Sequence, residues 1–261
     1  MAKAPNAQLP MFYKDLLPIS SKDHAQWKAR QVDHAKFVDG QNAIPLTSDE
    51  FAQASRFYPI VFSTGETPVP LALMGLNEGV NTAIDDDGKL RGPVYVPAYI
   101  RRYPFLLARL NPDAEEMSLC FDPTSEVVGK FKDGEALFEK GEPSETLKQV
   151  MQFCEQFEQA GARTQAFMKE LAELDLLMEG EVSIQPPGSD KPFVYRGFQM
   201  VDETKLRDLR GDTLRKISQN GMLPLLYAHL FSLQLMRDIF GQQVAQGKMP
   251  QVTEAPQPEG V

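Results

Sequence analysis

Histidine and cysteine are scarce in this chain. Its 261 residues include 3 histidines, His24, His34 and His229, and 2 cysteines, Cys120 and Cys154. Two histidines near one end and one near the other argue against a multi-histidine metal site or a histidine-based triad, although such partners need only meet in space. Cys120 sits in the apolar run Leu119-Cys120-Phe121, and Cys154 lies on the apolar face of a helical pattern. Both read as buried thiols of a reducing compartment. Spacing alone does not decide whether they pair. Long apolar runs are missing too. The most apolar stretch, Met222 to Leu235, is interrupted by Pro224, His229, Ser232 and Gln234, so nothing approaches the ~18 apolar residues of a membrane span. The opening Met-Ala-Lys-Ala-Pro-Asn-Ala-Gln-Leu-Pro has no apolar core of a secretory signal. These absences together point to a cytoplasmic protein. Positive charge is also in deficit. A formal net charge of −9 repels phosphate backbones and anionic lipid, which makes nucleic acid and membrane surfaces poor partners unless a local basic patch overrides it.

Helix and strand signals mix along the chain. Thr47 or Ser48 ahead of Asp49-Glu50-Phe51 is a capped helix start, running to about Arg56. Pro59 to Ser63 and Val69 to Leu76 read as paired strands around the turn Gly65-Glu66. Asn81 to Ile84 and Leu90 to Val96 flank Asp85-Asp86-Asp87-Gly88, a hairpin signal. Pro97 to Leu110 has helical spacing, with a kink or break expected at Pro104. Met117 to Phe121 is strand-like, and Gly134 to Phe138 is a short apolar piece. Ser144 then caps a stripe at steps of three and four, from Leu147 through Cys154, Phe157, Gly161 and Phe167 to Leu174. That helix would extend roughly 45 Å at ~1.5 Å per residue, with Gly161 marking a close contact or a bend. Glu181 to Ile184 and Phe193 to Met200 form a second strand pair around the turn-rich segment 186–190. Asp202 caps a helix to about Leu209 ended by Gly211, Asp212 caps another to about Gln219 ended by Gly221, and Leu223 to Phe240 is the last, with Pro224 in its first turn. Hairpin-like strand pairs in the first two-thirds, a long amphipathic helix and C-terminal helices predict an α+β fold with a mostly antiparallel sheet. The expected organisation is a Pro-rich arm over residues 1–20, one domain over 21–245 and a disordered tail over 246–261.

The strong catalytic motifs are missing: no phosphate-cradling GxxxxGK[ST], no GxGxxG after a strand, no HExxH, CxxC or GxSxG. No cofactor and no metal site are expected. Asp85-Asp86-Asp87-Gly88 opens like a calcium loop, but Val96 stands where the twelfth, acidic ligand belongs, so a turn is the better reading. Three candidates remain. Arg101 and Arg102 lie between Tyr99 and Tyr103, with Arg91 and Tyr95 nearby. Guanidinium forks beside aromatic faces suit a carboxylate, a phosphate or a stacked planar ligand. The structural reading of the same block has tyrosines facing the core and arginines pairing with surface acids. His229, among Leu225, Leu226, Leu230, Leu233 and Met236, is the best single residue for an acid-base role. Its structural reading is a core histidine bonded to a carbonyl or hydroxyl. The carboxylates Asp202-Glu203 read as a helix N-terminus before they read as an acid-base pair.

Several segments carry a resemblance. They are Tyr58-Pro59-Ile60-Val61-Phe62, Pro70-Leu71-Ala72-Leu73-Met74-Gly75-Leu76, Gly141-Glu142-Pro143-Ser144, the run from Gly197 to Glu203, and Leu226-Tyr227-Ala228-His229-Leu230. The most specific is Tyr95-Val96-Pro97-Ala98-Tyr99-Ile100-Arg101-Arg102-Tyr103-Pro104-Phe105. In order and spacing, from about residue 12 to 240, the chain resembles the bacterial SapC family. The resemblance implies a link to surface-layer proteins and their secretion. It also implies company with tryptophan-halogenase-like enzymes, cupin-type oxygenase-like proteins and TonB-dependent receptors. It transfers no catalytic residue. The peptide-transporter permease of the same name is a different protein, because this chain lacks membrane spans. The expectation is a cytosolic, non-catalytic binding or accessory protein that acts with halogenase-like or cupin-type enzymes and takes a peptide, protein or small anionic ligand at Tyr99, Arg101, Arg102 and Tyr103. The alternatives are an enzyme of unrecognised type using His229, and a surface-layer or secretion component.

Overall fold

A computed structural model of the chain describes residues 9–111, 116–185 and 192–249. The strands in chain order are β1 (Leu17–Pro18), β2 (Lys28–Ala29), β3 (Ala43–Pro45), β4 (Ile60–Phe62), β5 (Pro70–Leu73), β6 (Phe105–Ala108), β7 (Ser118–Phe121), β8 (Val128–Gly129), β9 (Glu135–Ala136), β10 (Phe138–Glu139), β11 (Glu142–Pro143), β12 (Leu177–Ile184) and β13 (Phe193–Val201). The helices are α1 (Phe51–Ala54), α2 (Ala98–Arg101), α3 (Glu145–Glu173), α4 (Glu203–Arg207), α5 (Gly211–Gln219), α6 (Met222–Ser232) and α7 (Met236–Ala245). A five-stranded sheet runs in the order β12-β13-β4-β5-β3, and two three-stranded sheets run β1-β7-β6 and β8-β2-β9. Every named pairing is antiparallel, and the fold is α+β.

The middle of the central sheet, β4 and β5, is buried on both faces. Side chains alternate along a strand, so Ile60 and Phe62 of β4 enter one apolar cluster with Phe167, Leu171 and Leu226 from α3 and α6. Val61 points the other way and joins Leu73, Phe198, Met236, Ile239 and Phe240, the last three from α7. The chain crosses between the two faces after α6. There the helix expected over Leu223 to Phe240 is broken by a 3-10 turn at Leu233–Leu235, which lets α7 leave the axis of α6.

A third cluster holds Phe105, Phe121, Val128, Leu137, Leu147 and Cys154, with Leu17 and Trp27 packed against it. It joins the small sheets to the first turns of α3. The 29 residues of α3 span about 44 Å, so the helix roots one end in this cluster and the other in the main core. The Ser144 hydroxyl caps it by accepting from the Leu147 N–H at 3.2 Å. Beyond the neighbouring backbone of α3 itself, no atom lies within 4 Å of a Cβ built on Gly161, so the close contact expected there is absent and α3 runs through it.

Other expectations shift in detail. Pro104 does break the helix: α2 is a single turn, and residues 105–108 turn into β6 against β7. The stretch expected as one long helix is a turn and a strand because its apolar residues face a sheet partner. The turn at Asp85 exists, but only Ile84 and Leu90 pair beyond it. Gly211 opens α5 instead of ending α4, with Arg210 at its N-cap. Cys120 and Cys154 are both buried and free, and burial pushes each thiol up to about 11. On the arm, Tyr13 is buried and donates its hydroxyl to the Phe105 carbonyl at 2.7 Å. The turn 186–190 and the tail from residue 250 lie outside the described residues.

Candidate functional site

The block around Tyr99 is pulled in opposite directions by one helical turn. Arg101 is exposed, donating from Nε to the Val96 carbonyl at 3.0 Å and lying 5.2 Å from the Phe153 ring. Arg102, one residue on, is 8% exposed. Its guanidinium stands 4.5 Å from the Tyr99 ring and 4.3 Å from that of Phe157, with Glu158 at 3.7 Å. Its Nε has no hydrogen-bond partner among the described residues. A buried cation held mainly by ring faces and one loose carboxylate is a packing element of the seam between α2 and α3. The four residues therefore form no common ligand surface, and the buried Arg102 reaches outward to the partly exposed Glu158.

Tyr103 does face a chamber, of about 470 Å³. One wall is the arm, where Phe12 adopts a positive φ of 82° that swings its ring to 5.2 Å from Phe37 and 5.6 Å from Tyr99. Phe37 in turn lies 4.2 Å from Tyr103. Asp122, fully buried, fixes three parts of this wall at once. It accepts from the Lys14 N–H at 2.7 Å, from the Thr124 N–H at 2.8 Å and hydroxyl at 2.7 Å, and from the Tyr103 hydroxyl at 3.5 Å. Burial, and then the Asp122 charge, push the Tyr103 phenol up to about 12, so it stays protonated and remains a donor at neutral pH. Lys14, His34, Lys36, Gln41, Ser125 and Glu126 complete the polar lining. His34 stands 3.4 Å from Asp33 and 3.6 Å from Glu126, while Asp33 is held by Lys89 at 2.7 Å.

A second chamber, of about 240 Å³, adjoins the first and shares Val32 and His34 with it. Its lining is mostly apolar, with Val38, Met74, Ala83, Ile84 and Ile100 among the wall residues. The segment between the chambers is held by the Asp85 turn. The Gly88 carbonyl accepts from Ala35 N–H at 2.8 Å. Gly88 has φ 81°, and a Cβ there would come within 2.9 Å of the Lys36 nitrogen. Only glycine fits both demands.

His229 is fully buried on α6 and lines neither chamber. Its Nδ1 donates to the Ile60 carbonyl at 2.8 Å, and its Nε2 accepts from the Val201 N–H at 3.0 Å. β4 and β13 share a single paired position, Phe62 with Gln199. The imidazole bridges the strands where their ladder stops. Ser232 helps by accepting from the Ile60 N–H at 2.8 Å. Both ring nitrogens are thus occupied by backbone, and burial pulls the imidazole down to about 4. Asp202 accepts from the Thr204 and Lys205 N–H groups as the α4 cap.

Sequence reading missed His34, Lys36 and Phe37. They fall in a stretch without periodicity, and the available signal was the same one used at Tyr99, basic side chains beside an aromatic one. Among the described residues, no three metal-binding side chains gather, and no helix is long and apolar enough to cross a membrane. No curated protein and no solved structure matches the chain. The SapC family model matches residues 19–239, and the chain belongs to the SapC family.

Proposed function

We propose that this protein is a non-catalytic binding module, holding a small organic anion in the chamber bordered by Tyr103. One observation supports this above the others: in a chain of net charge −9, Lys14 and Lys36 stand beside the aromatic walls of Phe12, Phe37 and Tyr103. An ammonium group neutralises a carboxylate, and a ring face takes the planar part of the ligand. Of the four residues singled out in the sequence, Tyr103 touches the ligand, Tyr99 backs the wall through Phe12, Arg102 supports the seam, and Arg101 stays on the surface. The accessory role beside halogenase-like or cupin-type enzymes rests on the family resemblance. The free, buried thiols fit a reducing, cytoplasmic setting.

Titration calorimetry with benzoate tests the reading. The wild type binds benzoate, more weakly as salt rises. Lys36→Ala and Lys14→Ala each lower the affinity several-fold, and Arg101→Ala leaves it unchanged. No heat of binding to the wild type, or an affinity unchanged from the wild type in both lysine variants, overturns it.

A further inference from the structure

The second chamber is what the proposed binding role leaves unused. Its polar wall groups are already engaged. The Tyr58 hydroxyl donates to the Tyr95 carbonyl at 2.8 Å, and the Tyr95 hydroxyl donates to Glu50 at 3.0 Å. The Ile84 carbonyl accepts from Arg91 Nε at 2.9 Å. Apart from His34 and Asp33 at one side, the chamber therefore offers a ligand little but apolar surface. A charged or strongly polar group would lose its hydration there and gain no partner. The size is equally selective. About 240 Å³ exceeds the ~150 Å³ that encloses a benzene ring and falls below the ~300 Å³ where ordinary drug-sized sites begin. It suits one uncharged ring or one branched alkyl group.

The two chambers share Val32 and His34 as a common wall, with Asp33 and Ala35 facing the apolar side and Lys36 and Phe37 the polar side. We propose that they hold the two halves of one amphiphilic ligand. Its uncharged ring or branched alkyl end fills the apolar chamber, its anionic head meets Lys14 and Lys36 in the polar one, and the tether passes His34. This rests on the binding role above and narrows its ligand to aryl- or branched-alkyl acids in which a short chain separates the two ends.

The test uses the full chain and three probes, benzoate, toluene and 4-phenylbutyrate. 4-Phenylbutyrate binds the wild type at least tenfold more tightly than benzoate. Saturating toluene weakens 4-phenylbutyrate at least fivefold and leaves benzoate unchanged. Ala83→Leu, which fills the apolar chamber, weakens 4-phenylbutyrate and toluene together and spares benzoate. Should that variant not fold, the toluene competition in the wild type decides by itself. Benzoate binding that depends on Lys36, with no competition from toluene against 4-phenylbutyrate, overturns the two-chamber ligand and leaves the binding module standing. Absence of binding by benzoate and 4-phenylbutyrate alike overturns both.

Discussion

His229 ties three elements together with one side chain, and its protonation would break the tie. The neutral ring accepts the Val201 N–H at Nε2. A proton on that nitrogen would face the N–H with a second donor and place a charge in an apolar core. The imidazole is held near 4 in the folded chain, against ~6.5 when unfolded. The unfolded state therefore takes up the proton first, and stability falls as the pH drops from about 6.5 towards 4. Between pH 6.5 and 5 the expected loss is about 2 kcal/mol. Urea unfolding of wild type and His229→Gln at both pH values checks this. The variant starts less stable and loses less over the interval. An equal loss in both proteins would remove the histidine from the acid response. The residue was visible in the sequence as the odd polar group on an apolar helix, and its structural reading was already available. Its partners were not visible, because Ile60 and Val201 lie 169 and 28 residues away and contribute backbone, which leaves no side-chain signature.

Elements were legible where local rules suffice. Ser144 and Asp202 cap α3 and α4 as their spacing predicts, because a cap is decided within four residues. Pro104 was legible as a break, but the strand after it was not. Residues 105–108 become β6 because β7 supplies the partner, and tertiary pairing overrides short-range periodicity. The chamber was the least legible feature, since its walls come from the arm, the unpatterned segment around His34, Tyr103 and the turn after β7. Gly161 separates a local effect from a tertiary one. It lies in mid-helix with open space where a side chain would go, so the glycine costs helix propensity and relieves no crowding. Gly161→Ala should stabilise the protein by about 0.5–1 kcal/mol, read as a raised thermal midpoint at unchanged benzoate affinity. A destabilised variant would mean that α3 needs the glycine for a contact or bend the fold does not reveal.

The whole molecule depends on α3 as a shared beam. The small sheets pack their cluster around Leu147 and Cys154 at its start, and the central sheet packs on Phe167 and Leu171 near its end. Arg102 sits at mid-helix against Phe157 and Glu158. Neither cluster can shed α3 without exposing apolar residues of the other, since a helix that loses one anchored half leaves a frayed end beneath the seam. Residues 21–245 should accordingly unfold as one cooperative unit. Two probes watch the two ends: Trp27, the single tryptophan, packs on the small-sheet cluster, whereas far-ultraviolet circular dichroism follows the helices, most of which pack on the central sheet. Their denaturant midpoints should coincide in the wild type. Arg102→Ala opens the seam and leaves the Glu158 carboxylate without its cation, so it should lower both midpoints together. A tryptophan transition that precedes the loss of helix in the wild type would divide the chain into two independently stable bodies. In that case the chamber, whose walls span the arm, the segment around His34 and the turn after β7, would lose its shape before the main core melts.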